Sequence, residues 1–195
     1  MPQWLAAVQA RMPGLVVSLR VGNSAGVAED VIAGTADLGF IESSHVPAGL
    51  QTCVCGADEL LVVVAPGHPW ARRGSPLPAV ELAGTAVIVR ESGSGTRDAL
   101  EDALAAAGHT LTVDAELGST AAIRLAVRGG NGVAVLSRLA VADDLEVARL
   151  VAVPVEGVDL RRKLRMIWRD GVQLTEAAAE MARAALSRGT VAQGS

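Results

Sequence analysis

Residues 87–97 read Val-Ile-Val-Arg-Glu-Ser-Gly-Ser-Gly-Thr-Arg, and this stretch decides how the fold is predicted. An apolar run of strand length passes directly into a loop of serine and glycine. Small apolar residues then recur at helical spacing from Ala99 to Ala107, with acidic residues between them. The order of strand, glycine-containing loop and helix is typical of α/β domains. We call residues 92–97 the Ser-Gly-Thr loop.

The Ser-Gly-Thr loop has the chemistry of an anion site. Gly93 and Gly95 allow a ligand to approach the backbone closely. The free N–H groups of the first helical turn and the hydroxyls of Ser92, Ser94 and Thr96 are expected to converge on one point. Serine and threonine before a helix also serve as simple caps. The loop by itself therefore leaves a ligand site and a helix cap both open.

Beyond the loop, short apolar runs alternate with helical patterns along the whole chain, which predicts an α/β architecture. Strands are predicted at residues 15–21, 37–41, 59–65, 86–90, 110–116, 133–136, 150–153 and 162–169. Helices are predicted at residues 3–11, 26–33, from 79 to 82 after a proline-rich connector, from the loop to 107, after a cap at Ser119, and at 174–186.

Composition narrows the class of protein. Half of the 195 residues are hydrophobic but only 2% are aromatic, so alanine, valine and leucine must fill the core. That composition suits buried parallel strands covered by alanine-rich helices. The net charge is −4, which argues against a DNA-binding face. One basic cluster, Arg161-Arg162-Lys163 with Arg165, is interpreted as the solvated face of a strand rather than as a phosphate contact.

Catalytic and metal-binding patterns are not found. Cys53 and Cys55 are too close along an extended segment to bridge comfortably, and no histidine pair has metal-ligand spacing. The loop lacks the Gly-x-Ser-x-Gly motif of hydrolases and the Gly-Lys-Ser or Gly-Lys-Thr ending of a Walker loop. No enzyme activity, cofactor or metal is therefore expected. Without a signal peptide or a membrane-length apolar run, a cytoplasmic location is expected.

Seven stretches, taken together, carry a resemblance to a known family. They are Leu-Ala-Ala-Val-Gln-Ala-Arg-Met-Pro at 5–13, Val-Gly-Asn-Ser at 21–24, Gly-Thr-Ala-Asp-Leu-Gly-Phe-Ile-Glu at 34–42, Asp-Glu-Leu at 58–60, His-Pro-Trp-Ala at 68–71, residues 90–97, and Gly-Asn-Gly-Val-Ala-Val-Leu-Ser at 130–137. Because these stretches occur in this order and at this spacing, the chain resembles the effector-binding domain of LysR-type transcriptional regulators. Residues 90–97 look most like the branch that regulates carbon fixation and sulfur assimilation.

The resemblance implies a two-lobed fold of the periplasmic-binding-protein type II class. Two Rossmann-like lobes would be joined by two crossing strands, with lobe I at residues 1–65 and 170–195 and lobe II at 66–169. Such domains hold a small effector in the cleft between the lobes and form homodimers, or tetramers when full length. DNA would be bound only through a helix-turn-helix domain. That domain and the family's first lobe I strand have no counterpart in this sequence.

The candidate effector ligands come from loops that follow predicted strands, where α/β sheets bind small molecules. They are Asn23, Ser24, Glu42, Ser92, Gly93, Ser94, Gly95, Thr96, Arg97 and Asn131. Sulfate, sulfite, phosphate, a phosphosugar or a carboxylate would all suit these donors, and the sequence does not choose among them. The runner-up hypothesis is a solute-binding protein of a transport system, and the third is an enzyme on the same fold.

Overall fold

The computed structural model describes residues 2–189, with side chains described at 6 and at 8–186. The helices are α1 (Pro2–Arg11), α2 (Ser24–Ala33), α3 (Ala79–Gly84), α4 (Gly95–Ala106), α5 (Thr120–Arg128), α6 (Arg138–Glu146) and α7 (Glu176–Gly189), with a 3-10 turn at Pro69–Arg72. The strands are β1 (Gly39–Ile41), β2 (Leu50–Val64), β3 (Leu77–Pro78), β4 (Val87–Arg90), β5 (Val113–Leu117), β6 (Val133–Ser137), β7 (Val151–Val153), β8 (Val155–Glu156) and β9 (Arg161–Arg169).

The chain divides into two compact units, and the first of them is discontinuous. Unit 1 comprises residues 1–57 and 163–195, and unit 2 comprises residues 58–162. The long strands β2 and β9 each contribute residues to both units. The predicted lobes have the same discontinuous order, but their boundaries were set at 65/66 and 169/170, near the ends of these strands. The lobe assignment itself stays a prediction.

Unit 1 is built around the antiparallel pair of β1 and β9, in which Gly39 lies opposite Ile167. Helix α2 packs against this pair through Val31, which is buried together with Ile167. The helix approaches so closely that a Cβ on Gly39 would lie 2.6 Å from a methyl carbon of Val27. A glycine is therefore required there. A second cluster joins Met166 of β9 to buried alanines of α7.

Unit 2 has β4 at the centre of its parallel strands. Strand β4 pairs in parallel with β5 and with β6, whereas β2 pairs antiparallel with β6 and β7. Apolar residues on both faces of these strands are buried, against α4 on one side and α5 on the other, as the valine-rich runs predict. This arrangement brings the end of β4 directly before the first turn of α4.

One predicted strand is wrong. Residues 15–21 are not a strand, although apolar and polar residues alternate there. Val16 and Val21 are 92% and 94% exposed, and the segment is paired with no strand within residues 2–189. Because a strand exists only through hydrogen bonds to a neighbour, an alternating pattern by itself cannot create one.

Helix α6 was not predicted, and the reason lies in its side chains. Leu139 is 73% exposed, while Asp144 is completely buried. The hydrophobic pattern that normally identifies a helix is therefore inverted at two of its positions. Strand β2 also begins nine residues earlier than the predicted Glu59.

Candidate functional site

The Ser-Gly-Thr loop is ordered by its own hydrogen bonds. Ser94 is the N-cap of α4, and its hydroxyl accepts a hydrogen bond from the Thr96 N–H at 3.4 Å. The Ser94 N–H donates to the Glu91 carbonyl, and Gly93 has a φ of 82°, which favours glycine. Ser94 and Thr96 are 2% and 7% exposed, whereas Ser92 is exposed. The helix cap predicted as one alternative is present, and capping does not exclude ligand binding by the remaining N–H groups.

A buried arginine that the sequence pattern did not predict contacts this loop. The Arg162 Nη1 group donates to the Thr96 hydroxyl at 2.9 Å. Its Nε and Nη2 groups donate to one oxygen of Asp58 at 2.9 and 2.7 Å. The side chains of Arg162 and Asp58 are only 4% and 3% exposed. The prediction of a solvated basic face is therefore wrong for Arg162.

A signal for Arg162 was present in the sequence. Side chains of a strand alternate between two faces, so Arg162 shares a face with Leu164, Met166 and Trp168. Three of the four apolar residues of the strand lie on this face, and Met166 is buried; the fourth, Ile167, is buried on the opposite face. Arg161 and Lys163 lie on the other face and are exposed, as predicted. The four basic residues do not form a single exposed cluster, because Arg162 lies on a different face of the strand from Arg161 and Lys163.

The other arginines next to the loop are paired with carboxylates. Arg90 makes two hydrogen bonds of 2.8 Å to Glu91 and one of 3.0 Å to the hydroxyl of Thr120. Arg97 binds Glu101 one turn further along α4 at 2.8 Å and Glu116 of β5 at 2.5 Å. The hydrogen bond to Glu101, followed by that to Glu116, raises the pKa of Arg97. In the described contacts Arg97 therefore joins α4 to β5, and its predicted effector contact stays a prediction.

In unit 1, the structure brings Ser24 and Glu42 together. The Ser24 hydroxyl accepts a hydrogen bond from the Glu42 N–H at 3.2 Å, and Ser24 is 9% exposed. Asn23 caps α2, with its side-chain oxygen accepting from the Gly26 N–H at 2.9 Å. Ser43, which follows Glu42, is 3% exposed and was not predicted. The start of α2 and the end of β1 thus form one polar corner of unit 1.

Asn131 lies in the turn that ends α5. Its N–H donates to the Ala126 carbonyl at 3.1 Å, and the flanking Gly130 and Gly132 have φ values of 85° and 91°. Its side chain is exposed. These contacts describe a tight turn, and the predicted role of Asn131 in binding remains a prediction.

Three further properties bear on function. Among the residues that the structure describes, no cluster of three or more His, Cys, Asp or Glu residues is arranged to hold a metal ion. Cys53 and Cys55 are free thiols, and burial raises the pKa of Cys55. Within the described part of the chain, every helix is too short or too polar to cross a bilayer.

Comparison with known proteins identifies the family. The model of the LysR substrate binding domain matches residues 1–189. The uncharacterized HTH-type transcriptional regulator Rv2282c of Mycobacterium tuberculosis is 46% identical over 183 residues, which cover 88% of this chain and 58% of the relative. The RuBisCO operon transcriptional regulator of Allochromatium vinosum is 29% identical over 177 residues, which cover 91% of this chain and 58% of that relative. The chain thus spans less than two thirds of these relatives.

A solved structure agrees with the sequence relatives. The regulatory domain of CcmR from Synechocystis PCC6803, in complex with 2-PG, superimposes with a TM-score of 0.85 at 26% identity, covering 96% of this chain and 90% of that one. The predicted α/β fold of the periplasmic-binding-protein type II class and the similarity to the carbon-fixation branch are confirmed. The chain belongs to the LysR substrate-binding domain family.

Proposed function

We propose that this chain is the ligand-sensing domain of a LysR-type transcriptional regulator and that its effector is a small anion bound at the Ser-Gly-Thr loop. One observation carries the proposal. Two buried hydroxyls, those of Ser94 and Thr96, lie at the start of a twelve-residue helix beside the buried guanidinium of Arg162. Support comes from CcmR, a relative of the same fold whose regulatory domain was solved with 2-PG.

The physical basis is the electrostatics of a helix start. The first N–H groups of a helix have no partner within the helix, and the helix dipole places partial positive charge there. Both effects favour an anion. The carboxylates of Glu91, Glu101 and Glu116 are each engaged by an arginine, which reduces their repulsion of an anion. In unit 1, the predicted roles of Asn23, Ser24 and Glu42 in effector binding also stay proposals.

Regulation requires more than binding. An effector changes the protein only if it binds one arrangement of the domain more tightly than another. We propose that this preference is passed on, in a longer chain, to a helix-turn-helix domain that binds DNA. Assembly as a homodimer, or as a tetramer at full length, belongs to the same proposal. The relatives are named as transcriptional regulators, which favours this function over a solute-binding protein.

Thermal unfolding with added anions tests the proposal. The probes are sulfate, phosphate and 2-PG, with chloride at matched ionic strength as the reference. A ligand at about one hundred times its dissociation constant adds about 2.7 kcal/mol, enough to raise the melting temperature by a few degrees. Thr96→Val should remove about half of the rise, because a tenfold weaker affinity leaves about 1.4 kcal/mol of stabilisation at the same ligand concentration. Ser119→Ala is the control, because Ser119 caps α5 in the same unit and its described side-chain hydrogen bond is to the Ala122 N–H.

The outcomes separate a ligand site from a helix cap. Ser119→Ala should lower the melting temperature of the free protein while leaving the anion-induced rise intact. A wild-type protein that responds to none of the three probes would count against an anionic effector. Equal responses from the wild type and Thr96→Val would place the ligand elsewhere and would refute the role of the loop.

A further inference from the structure

Arg162 is a buried arginine whose guanidinium is shared between a carboxylate and a hydroxyl. All three residues belong to unit 2, and they come from β2, α4 and β9. Asp58 accepts two of the hydrogen bonds and Thr96 accepts the third. Asp58 and Arg162 are separated by 104 positions in the sequence. The arrangement therefore joins three distant segments at the Ser-Gly-Thr loop.

The chemistry of the guanidinium fixes the direction of its bond to Thr96. Arginine is always protonated in proteins and has five N–H donors but no acceptor. The Thr96 oxygen must therefore accept, and its own O–H hydrogen must point away from Arg162. A hydroxyl that accepts a charged hydrogen bond is also polarised, which makes it a stronger donor to a second group.

Asp58 explains why the guanidinium stays in this position. A buried arginine without a counter-charge would be strongly unfavourable, and a carboxylate at 2.7 Å supplies that charge. Both hydrogen bonds to Asp58 end on the same oxygen, so Nη1 remains directed at Thr96. The charges of Arg162 and Asp58 cancel within their described ion pair. Its effect on a ligand is therefore expected to act through the orientation of Thr96 rather than through net charge.

We propose that Arg162, held by Asp58, is a positioning residue of the effector site: it fixes the Thr96 hydroxyl as a donor and so favours ligands that present a bare oxyanion there. This inference rests on the proposed function. The ligand class is an oxyanion without a proton at that position, such as sulfate or a fully ionised phosphate or carboxylate. Arg162 itself does not contact the ligand.

The test is a set of variants in which the affinity for one probe is measured by calorimetry. The probe is whichever of sulfate, phosphate and 2-PG stabilises the wild type most. Asp58→Leu combined with Arg162→Met removes the pair together and leaves no lone buried charge. Thr96→Val removes the hydroxyl, and a triple variant removes all three groups. Thr96→Ser restores the hydroxyl, and Arg161→Met controls for loss of an exposed neighbouring arginine.

If Arg162 acts through Thr96, the effects of the substitutions on affinity for the probe should not be additive. The variant with both Asp58→Leu and Arg162→Met (the pair variant) and Thr96→Val should each bind the probe about tenfold more weakly. A tenfold change is the scale of one hydrogen bond to a charged group. The triple variant should also lose about tenfold, whereas independent effects would multiply to about a hundredfold. Thr96→Ser and Arg161→Met should both bind like the wild type. A merely structural role for the pair would not give this non-additivity.

Each contrary result has one meaning. The positioning role would be overturned if the triple variant lost about a hundredfold in affinity, or if the pair variant bound the probe as tightly as the wild type. The proposed function would still stand in either case. A wild type that is not stabilised by any probe would overturn the proposed function, and this inference falls with it. Because the pair variant could fold poorly, Arg162→Lys provides a second measurement. Lysine keeps the positive charge but lacks the planar guanidinium with its fixed donor directions. Arg162→Lys is therefore expected to bind the probe as weakly as the pair variant.

Discussion

Unit 2 contains two buried carboxylates that are neutralised in different ways. Asp58 faces one arginine, and both side chains are less than 5% exposed. Asp144 is completely buried, but its partners reach it from the surface. They are Arg124 at 2.6 Å, Arg128 at 3.7 Å and Arg149 at 3.8 Å, with side chains 30%, 35% and 56% exposed.

We expect that burial of a carboxylate does not by itself determine how much stability is lost when it is removed. If Asp58 is removed, water cannot easily reach the guanidinium that remains. If Asp144 is removed, its arginines can turn into solvent. The Oδ1 atom of Asp144 accepts no hydrogen bond from the described residues, although Arg128 and Arg149 lie 3.7 and 3.8 Å from it. We therefore expect the closed pair to be far more sensitive to substitution than the open cluster.

The largest effect is expected for Asp58→Ala. The substitution leaves Arg162 charged and buried, and the free energy of unfolding should fall by about 3–5 kcal/mol. Urea denaturation measures the change. The variant carrying both Asp58→Leu and Arg162→Met is the control, because replacing a whole buried pair with apolar residues is often neutral or stabilising. A loss below about 1 kcal/mol for Asp58→Ala would show that water reaches the guanidinium and would break the comparison.

Asp144→Ala should have a smaller effect, a loss of about 2 kcal/mol in the free energy of unfolding. It removes the hydrogen bonds from Arg124, but all three arginines can rehydrate. The neighbouring Asp143 is exposed and provides a matched control, since Asp143→Ala should change stability by less than about 0.5 kcal/mol. If Asp144→Ala costs as much as Asp58→Ala in the same urea titrations, exposure of the partners does not matter as argued.

Arg124→Met sharpens the comparison further. Arg128 and Arg149 remain near the carboxylate and can take over part of its neutralisation, so the expected loss is about 1 kcal/mol. Chemical denaturation of Arg162→Met gives the contrasting value, because Asp58 then has no other cation among its described contacts. Equal losses for the two arginine variants would contradict the distinction between a closed pair and a shared one.

The smallest effect is expected at an exposed pair. Arg161 holds the pKa of Asp159 at about 2, below its ordinary value of 3.8, chiefly through side-chain hydrogen bonds. Because the folded-state pKa is lowered, the stabilisation is present above pH 3.8 and is lost as the pH falls toward 2. An NMR titration should show the Asp159 pKa returning toward 3.8 in Arg161→Met.

Salt supplies the control for this exposed pair. High ionic strength should raise the Asp159 pKa in the wild type, because both side chains are mostly in solvent. Urea denaturation near neutral pH should show only a small loss of stability in Arg161→Met, because solvent screens the attraction between two exposed side chains. An Asp159 pKa that stays near 2 after the substitution would show that Arg161 is not the cause of the shift.

Local signals in the sequence were reliable where they concern neighbouring residues. The cap at Ser119 was predicted, and its hydroxyl accepts a hydrogen bond from the Ala122 N–H at 3.1 Å. The strand, loop and helix around the Ser-Gly-Thr loop also occur as predicted, with β4 at Val87–Arg90 and α4 at Gly95–Ala106. Such features depend on groups a few residues apart, so their pattern is visible in the chain itself.

The α/β order of elements, the glycine-containing loop before α4 and the family resemblance could all be determined from the sequence by itself. Only the tertiary structure decided that residues 15–21 pair with no strand within residues 2–189, that Asp144 is buried, and that Arg162 contacts Asp58 and Thr96. The physical reason is the distance along the chain. A strand needs a neighbour and a buried charge needs a partner, and here those partners come from segments up to 104 positions away, which no local pattern encodes.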